Sequence, residues 1–331
     1  MPSWLDKIDN RPLRTRIEQV LATSNDQVCA AFEALANFYQ HGLPDTTDHP
    51  EKRRKITNIP SNESPIIIIK DISFQAPARK RLILQITASE LVLINEKTNT
   101  IEFSCPILDI QHAVAVPTPE RPQGASTFAL FTSAEAIVFS LPEKGPPMTI
   151  HHANSHSEYT TADEKRKAIV DVLTSHIVSA DQMAMPSRQH FTCTGVSAST
   201  GKPEPSRAYV NTYMHTKEGF LYFLPLGILF GFKKPTLFIP TRAIAATVIT
   251  SVTQRTFDLK VCLAPDAQPL GAPAAALASY LQDNKLQLPF SMIEQPEYGG
   301  IDQYIKKLGI NDQSMTEETK APEPAKKAEK Y

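Results

Sequence analysis

Glycine is sparse in this chain of 331 residues, with 12 glycines against 27 prolines. None of them forms a phosphate-cradling loop or the GxSxG turn that presents a nucleophilic serine, and no HExxH zinc motif occurs. Cysteine is equally scarce. Cys29, Cys105, Cys193 and Cys262 stand far apart with no CxxC pair, which excludes a zinc knuckle and fits a reducing compartment. No stretch reaches the roughly 18 consecutive apolar residues of a membrane helix. The opening MPSWLDKIDN carries no apolar signal region, so a soluble intracellular protein is expected. Excess charge of one sign is missing too: the formal net charge is -1, and any electrostatic function must come from local clusters.

His151, His152 and His156 have HHxxxH spacing within a proline-rich loop, but no neighbouring carboxylate or cysteine completes a ligand set. No metal and no cofactor is therefore expected. Nor is there a pair of carboxylates flanked by apolar residues of the kind that raises a pKa for acid–base work. A binding module is the better expectation than an enzyme.

What is present divides into segments. In residues 1–45 the set Leu13, Ile17, Val20 and Leu21 has the spacing of one helix face. A second helix carries Val28, Phe32, Leu35, Phe38 and Tyr39, and Gly42 and Pro44 close it. Two helices this short cannot bury such a face alone. A helical hairpin pairing with a second copy of itself is expected, through Leu13, Ile17, Leu21, Phe32, Leu35 and Phe38. Residues 46–64 read as a linker with the basic run Lys52, Arg53, Arg54 and Lys55, a candidate import signal or nucleic-acid contact.

From residue 65 the periodicity is that of strands. Seven short strands followed by the helical stretch TADEKRKAIVDVLTSHIV predict a small β-barrel domain over 65–180. The pattern then repeats over 187–310. Strands are expected in HFTCTGV, RAYVNTY, GFLYFL, GILFGF, TLFIP, AIAATVIT, TFDLKVCL and KLQLPFSMI, and a helix in YGGIDQYIKKLG. Pro106, Ile110 and Val114 recur as Pro240, Ile244 and Val248, and TFALF from Thr127 as TFDLKV from Thr256, which suggests a duplicated domain. The stretches PEKGPPMTIHHANSHSEYTT and PDAQPLGAPAAALAS read as mobile insertions, and residues 311–331 as a disordered tail of mixed charge. The fold class expected is mainly β with flanking helices.

Charges at strand turns are the candidate sites. Arg79, Lys80 and Arg81 lie between the first two strands; Lys233 and Lys234 interrupt GFLYFLPLGILFGFKKPTLFIP; Arg255 follows Gln254 at the head of TFDLKVCL. A like-charge pair at a turn gains nothing from folding. A docking partner would give it a use.

The stretches EGFLYFLPLGILFGFKKPTLFIP, QRTFDLKV and YGGIDQYIKKLGIND closely resemble the second domain of the fungal histone H3–H4 chaperones named as regulators of Ty transposition. The middle domain of the small subunit of FACT shares the looser pattern. The resemblance is strongest over residues 218–315 and extends to both barrels. It implies tandem pleckstrin-homology barrels, each closed by a C-terminal helix, after an N-terminal helical homodimerisation domain. It further implies binding of H3–H4 with a preference for H3 acetylated on a core-proximal lysine. Contact with double-stranded DNA, nuclear and chromosomal location, replication-coupled nucleosome assembly and heterochromatin silencing follow as well. Matching motifs place family loop residues on Ser73, Arg79, Lys80, Gln254 and Arg255; the charge pattern adds Gly231, Lys233 and Lys234 to the histone set and Arg81 to the DNA set. The tail departs from relatives with longer acidic ends. A rival reading is a phosphoinositide-binding membrane adaptor, since Lys70, Arg79 and Arg81 loosely echo the basic hairpin of lipid-binding pleckstrin-homology domains.

Overall fold

A computed structural model of the chain describes residues 63–121, 124–153, 155–193, 207–281 and 286–313. The expected N-terminal helices, with Leu13, Ile17, Leu21, Phe32, Leu35 and Phe38, and the basic run at 52–55 lie outside the described residues, as does the chain beyond 313.

Over the described residues the molecule is mainly β, with two curled sheets and few helices. The first sheet contains β1 (Ile67–Ala76), β2 (Lys80–Ile86), β3 (Glu90–Asn95), β4 (Thr100–Pro106), β5 (His112–Pro117), β6 (Ser126–Phe131), β7 (Ala136–Leu141), β8 (Met148–His152), β9 (His156–Tyr159) and β10 (Met183–Ala184). Helix α1 (Ala162–His176) precedes β10. The second sheet contains β11 (Tyr209–Met214), β12 (Lys217–Leu224), β13 (Gly227–Gly231), β14 (Leu237–Pro240), β15 (Ile244–Thr250), β16 (Thr256–Leu263), β17 (Gln287–Glu294) and β18 (Asn311–Asp312). The short α2 (Ala274–Leu277) and α3 (Tyr298–Lys307) accompany it.

The duplication read from the sequence is visible in the topology. The main path of the first sheet is β10-β5-β6-β7-β1-β2-β3-β4, and the second, read from its far end, is β18-β15-β16-β17-β11-β12-β13-β14. In both, the strand after the repeated proline receives a two-residue parallel strand, Met183 beside Ala113 and Asn311 beside Ala246. Pro106 and Pro240 each cap a single 3-10 turn that ends at Ile110 and Ile244, with nearly the same dihedral angles. Proline's fixed φ and missing N–H suit the first turn of a helix after a strand. The four-residue steps are therefore a strand–turn–strand corner used twice.

Each helix buries one stripe. Thr161 and Glu164 form a reciprocal capping box at the start of α1, which places Ala168, Ile169, Val172 and Leu173 in the core of the first sheet. Ile301, Tyr304 and Ile305 of α3 enter the second core, and the Tyr304 hydroxyl donates to the carbonyl oxygens of Leu224 (2.8 Å) and Gly227 (3.2 Å).

A third apolar cluster joins the two sheets. Strand β5 alternates: Ala113 and Ala115 face the first core, while Val114 and Val116 face outward into the shared cluster. On β6, Phe128 and Leu130 point inward and Ala129 and Phe131 outward. Strand β12 does the same from the other side, with Leu221 and Phe223 in its own core and Phe220, Tyr222 and Leu224 in the shared one. Phe131 and Phe238 meet at 5.5 Å between ring centres, and the Tyr222 hydroxyl donates to the Pro117 carbonyl at 2.9 Å. A strand with both faces buried must be apolar at every position. That accounts for the unbroken GFLYFL run.

Four stretches depart from expectation. Met148–His152 and His156–Tyr159 pair as the β8–β9 hairpin, whose first strand also pairs with β1 and buries Met148 and Ile150, rather than lying in a mobile loop. Pro146 and Pro147 just before it, and its own three histidines, hid the short alternation. HFTCTGV makes no strand over its described residues; Phe191 and Cys193 are buried after a turn at Ser187 to His190. The 264–281 stretch carries α2 and seats Leu270, Ala272 and Leu277. At Gly271, with φ +100°, a Cβ would come within 2.5 Å of the Thr236 carbonyl oxygen, so the close approach of this stretch to β14 depends on glycine. Asn311 and Asp312, where the tail was expected to begin, are paired as β18.

Candidate functional site: an exposed row across the second sheet

The turn from β15 to β16 is built by Thr253, whose hydroxyl accepts from the backbone N–H of Arg255 (3.2 Å) and of Thr256 (3.0 Å). This side-chain turn satisfies the local backbone and leaves the side chains of Gln254 and Arg255 exposed. With Thr253, Thr256 and Met292 they line a depression. Met292 arrives there through a bulge. Leu259 pairs with Phe290 and Phe257 with Ile293, so Asp258 alone faces both Ser291 and Met292. Met292 takes φ +62°, its N–H donates to Asp258 Oδ1 (3.1 Å), and 57% of its surface stays exposed.

At the other margin of the sheet, Gly231 ends β13 in a buried position, where a Cβ would meet Thr236 Cγ2 at 3.2 Å. Lys233 Nζ pairs with Glu218 Oε2 at 2.9 Å and lies 5.3 Å from the centre of the Phe220 ring. The hydrogen bond to Glu218 raises the Lys233 pKa. Lys234 is exposed and makes no ion pair with a described residue.

Strand register connects the two groups. Glu218 on β12 lies opposite Tyr213 on β11, and Tyr213 opposite Ser291 on β17, next to Met292. Tyr213 is 41% exposed. Lys233, Glu218, Tyr213, Met292 and the Gln254–Arg255 turn therefore form one exposed row with charged ends and an apolar middle. The sequence reading missed Tyr213 and Met292. The available signal was a lapse in alternation at PFSMIE, where the bulge adds a residue.

The first sheet holds the remaining candidates. Ser73 on β1 is exposed and registers with Arg81 on β2. Arg81 donates to both oxygens of Asp71 at 2.7 and 2.8 Å. Lys80 Nζ donates to Glu102 at 2.8 Å, and this bond, with one from Asn95, lowers the Glu102 pKa. Arg79 is exposed and unpaired among the described residues. The run is thus one free cation beside two compensated ones.

His151 and His156 face each other across the β8–β9 hairpin with ring centres 6.2 Å apart. Among the described residues no group of three or more His, Cys, Asp or Glu side chains could hold a metal ion. No helix among them is long and apolar enough to cross a membrane.

The family described as "Histone chaperone Rttp106-like, middle domain" matches residues 208–314, the whole of the second sheet. "Histone chaperone RTT106" of Ajellomyces capsulatus is 31% identical over 379 residues, covering 95% of this chain and 75% of the relative. The chain belongs to the Rtt106 histone chaperone family. That family is not an enzyme class. "Histone chaperone rtt106" of Aspergillus niger is 30% identical over 300 residues, covering 82% of this chain, and the chain spans 61% of that relative's length. Among solved structures, the chain is matched by one titled "Structure of the Spt16D Pob3N heterodimer", at 11% identity and a TM-score of 0.25, covering 69% of this chain and 97% of the other.

Proposed function

We propose that this chain is a histone chaperone that holds H3–H4 on the exposed row of the second sheet and contacts double-stranded DNA with the β1–β2 hairpin. On this reading the two sheets with their helices are pleckstrin-homology domains over 65–180 and 187–310. Residues 1–45 form a homodimer, 46–64 are a linker, and the protein acts in the nucleus on chromatin, in replication-coupled assembly and silencing. The observation that carries the proposal is the Gln254–Arg255 turn, presented to solvent within a stretch matching the family.

The chemistry suits an acetylated lysine. Acetylation removes the charge and leaves an amide. The Gln254 amide pairs with it, and the Met292 thioether beside it covers the methyl group. One such contact is worth about 1 kcal/mol, enough to set a preference of several-fold without deciding binding. On the first sheet Arg79 reaches a phosphate without first breaking an ion pair, while Lys80 and Arg81 must exchange a carboxylate for one. A dimer would grip both halves of the two-fold H3–H4 tetramer, with effective concentrations in the millimolar range.

The test is a pull-down of the full chain at two salt concentrations with H3–H4, the other core-histone pair and duplex DNA as separate baits. Retention of H3–H4 over the other pair is expected. Gln254→Ala should lower the preference for acetylated over unmodified H3–H4 several-fold. Arg79→Ala with Lys80→Ala should weaken DNA binding and reduce its log–log salt slope by up to about 0.9 per lost contact. Equal retention of both histone pairs overturns the proposal.

A further inference from the structure

A recess of about 620 Å³ opens on the first sheet, away from the row described above. Its volume falls in the ordinary range for ligand sites, about 300–1,000 Å³. It lies where the bulge in β1 meets the loop after β5 and the loop between β7 and β8. The bulge, between Ile69 and Ile72, pushes Lys70 and Asp71 outward. Arg121 comes from the second of these segments and Lys144 from the third.

Five cationic side chains line the recess (Lys70, Arg81, Arg121, Lys144 and Lys165) against two acidic ones, Asp71 and Glu143. Two of the cations are committed. Arg81 is bound to both Asp71 oxygens, and Lys165, 3% exposed, donates to the Pro146 carbonyl at 2.8 Å, which holds the wall in place. Lys70, Arg121 and Lys144 are exposed and carry no ion pair with a described residue. Gln75, Thr118 and Ser140 line the floor and are linked through the buried Thr127 behind it. Gln75 Nε2 donates to Ser140 Oγ, Ser140 Oγ lies 3.3 Å from Thr127 Oγ1, and Thr127 Oγ1 lies 2.9 Å from Thr118 Oγ1. Leu141, Met148 and the prolines at 142, 146 and 147 form an apolar wall.

We propose that this recess binds a phosphate monoester carried on a serine or threonine side chain of a partner protein. Three unpaired cations, one from the β1 bulge and two from separate loops, match a dianion with three acceptor oxygens. The hydroxyl and amide floor matches a peptide's polar groups, and the proline–leucine–methionine wall its aliphatic ones. Other phosphate carriers fit less well. No aromatic side chain lines the recess on which a nucleobase would stack. None of the exposed large apolar residues among the described ones (Leu108, Met185, Tyr213, Val252, Leu286 and Met292) belongs to it, so no anchor for a membrane surface sits beside it. Ser73 and Arg81, which belong to the histone and DNA sets, also line the recess; Arg121 and Lys144 belong to neither set, so variants at these two positions separate the readings.

The experiment uses the full chain and two immobilised peptide pools with random flanks, one with a central phosphoserine and one with serine. Retention on the phosphorylated pool alone is expected, with displacement by free O-phosphoserine at lower concentration than by inorganic phosphate. Arg121→Ala with Lys144→Ala should weaken retention by about tenfold or more, given the strength of charge-assisted hydrogen bonds. Both positions are exposed, and circular dichroism checks that the fold persists. Arg79→Ala, outside the recess, should leave retention unchanged. Equal retention of both pools overturns the proposal. So does displacement by inorganic phosphate as readily as by O-phosphoserine, or loss of retention in competition with phosphoinositide vesicles at matched phosphate.

Discussion

Single residues carry two kinds of charge in this molecule, and burial separates them. Glu297 is fully buried; its Oε1 accepts from Arg207 at 3.1 Å and from the Cys193 thiol at 2.8 Å, while Arg207 Nε lies 3.1 Å from the same sulfur. Nothing in the spacing of Cys193, Arg207 and Glu297 along the chain announced this group, since its members meet only after folding. Removing the carboxylate strands a buried guanidinium, so Glu297→Ala should cost about 3–5 kcal/mol, read as a lower urea midpoint. A loss near zero would mean that water replaces the carboxylate freely. The exposed cations behave differently. Lys233 and Arg81 were legible as candidates from sequence, but their partners Glu218 and Asp71 were not, because each pairing depends on strand register. Burial also sets reactivity: it pushes the Cys105 thiol up to about 12, which keeps it protonated near neutral pH.

At the scale of elements, strand positions followed from alternation, while the role of each face did not. Strands β5, β6, β12, β13 and β14 read as continuous apolar runs, a pattern shared by any strand covered on both sides. His112 on β5 shows what the covering does. Its ring lies 5.0 Å from the Phe238 ring of β14, and its Nδ1 has no hydrogen-bond partner among the described residues. Burial lowers its pKa most; a hydrogen bond with the Gln182 backbone opposes this in part, Arg242 lowers it further, and Asp181 raises it least. The unfolded chain therefore takes up a proton at His112 near pH 6.5 where the folded one does not. Stability must fall as pH drops below that value. Urea midpoints measured from pH 7.5 down to 5.5 should decline, and His112→Phe should flatten the decline relative to the parent. An unchanged slope in the variant would remove His112 from the account.

For the whole molecule, the shared apolar cluster makes the two sheets one folding unit over the described residues. Phe238 contributes to it while its neighbours Leu237 and Ile239 serve the second core. Phe238→Ala should cost about 3–5 kcal/mol. It should also turn a single denaturation transition into two, one per sheet, when tryptophan-independent probes such as far-UV circular dichroism and hydrogen exchange are compared. A single coincident transition in the variant would show that the sheets cohere without this ring.

Hydrophobic period and turn chemistry act over a few residues, so the sequence alone determined the mainly β class, the two helices α1 and α3, the repeated proline corner and the position of the exposed turns. Register, bulges and the packing of one sheet on another are choices among distant partners of similar local preference. Only the tertiary structure could place Met292 beside Gln254, neutralise Lys233 with Glu218 and gather Lys70, Arg121 and Lys144 around one recess.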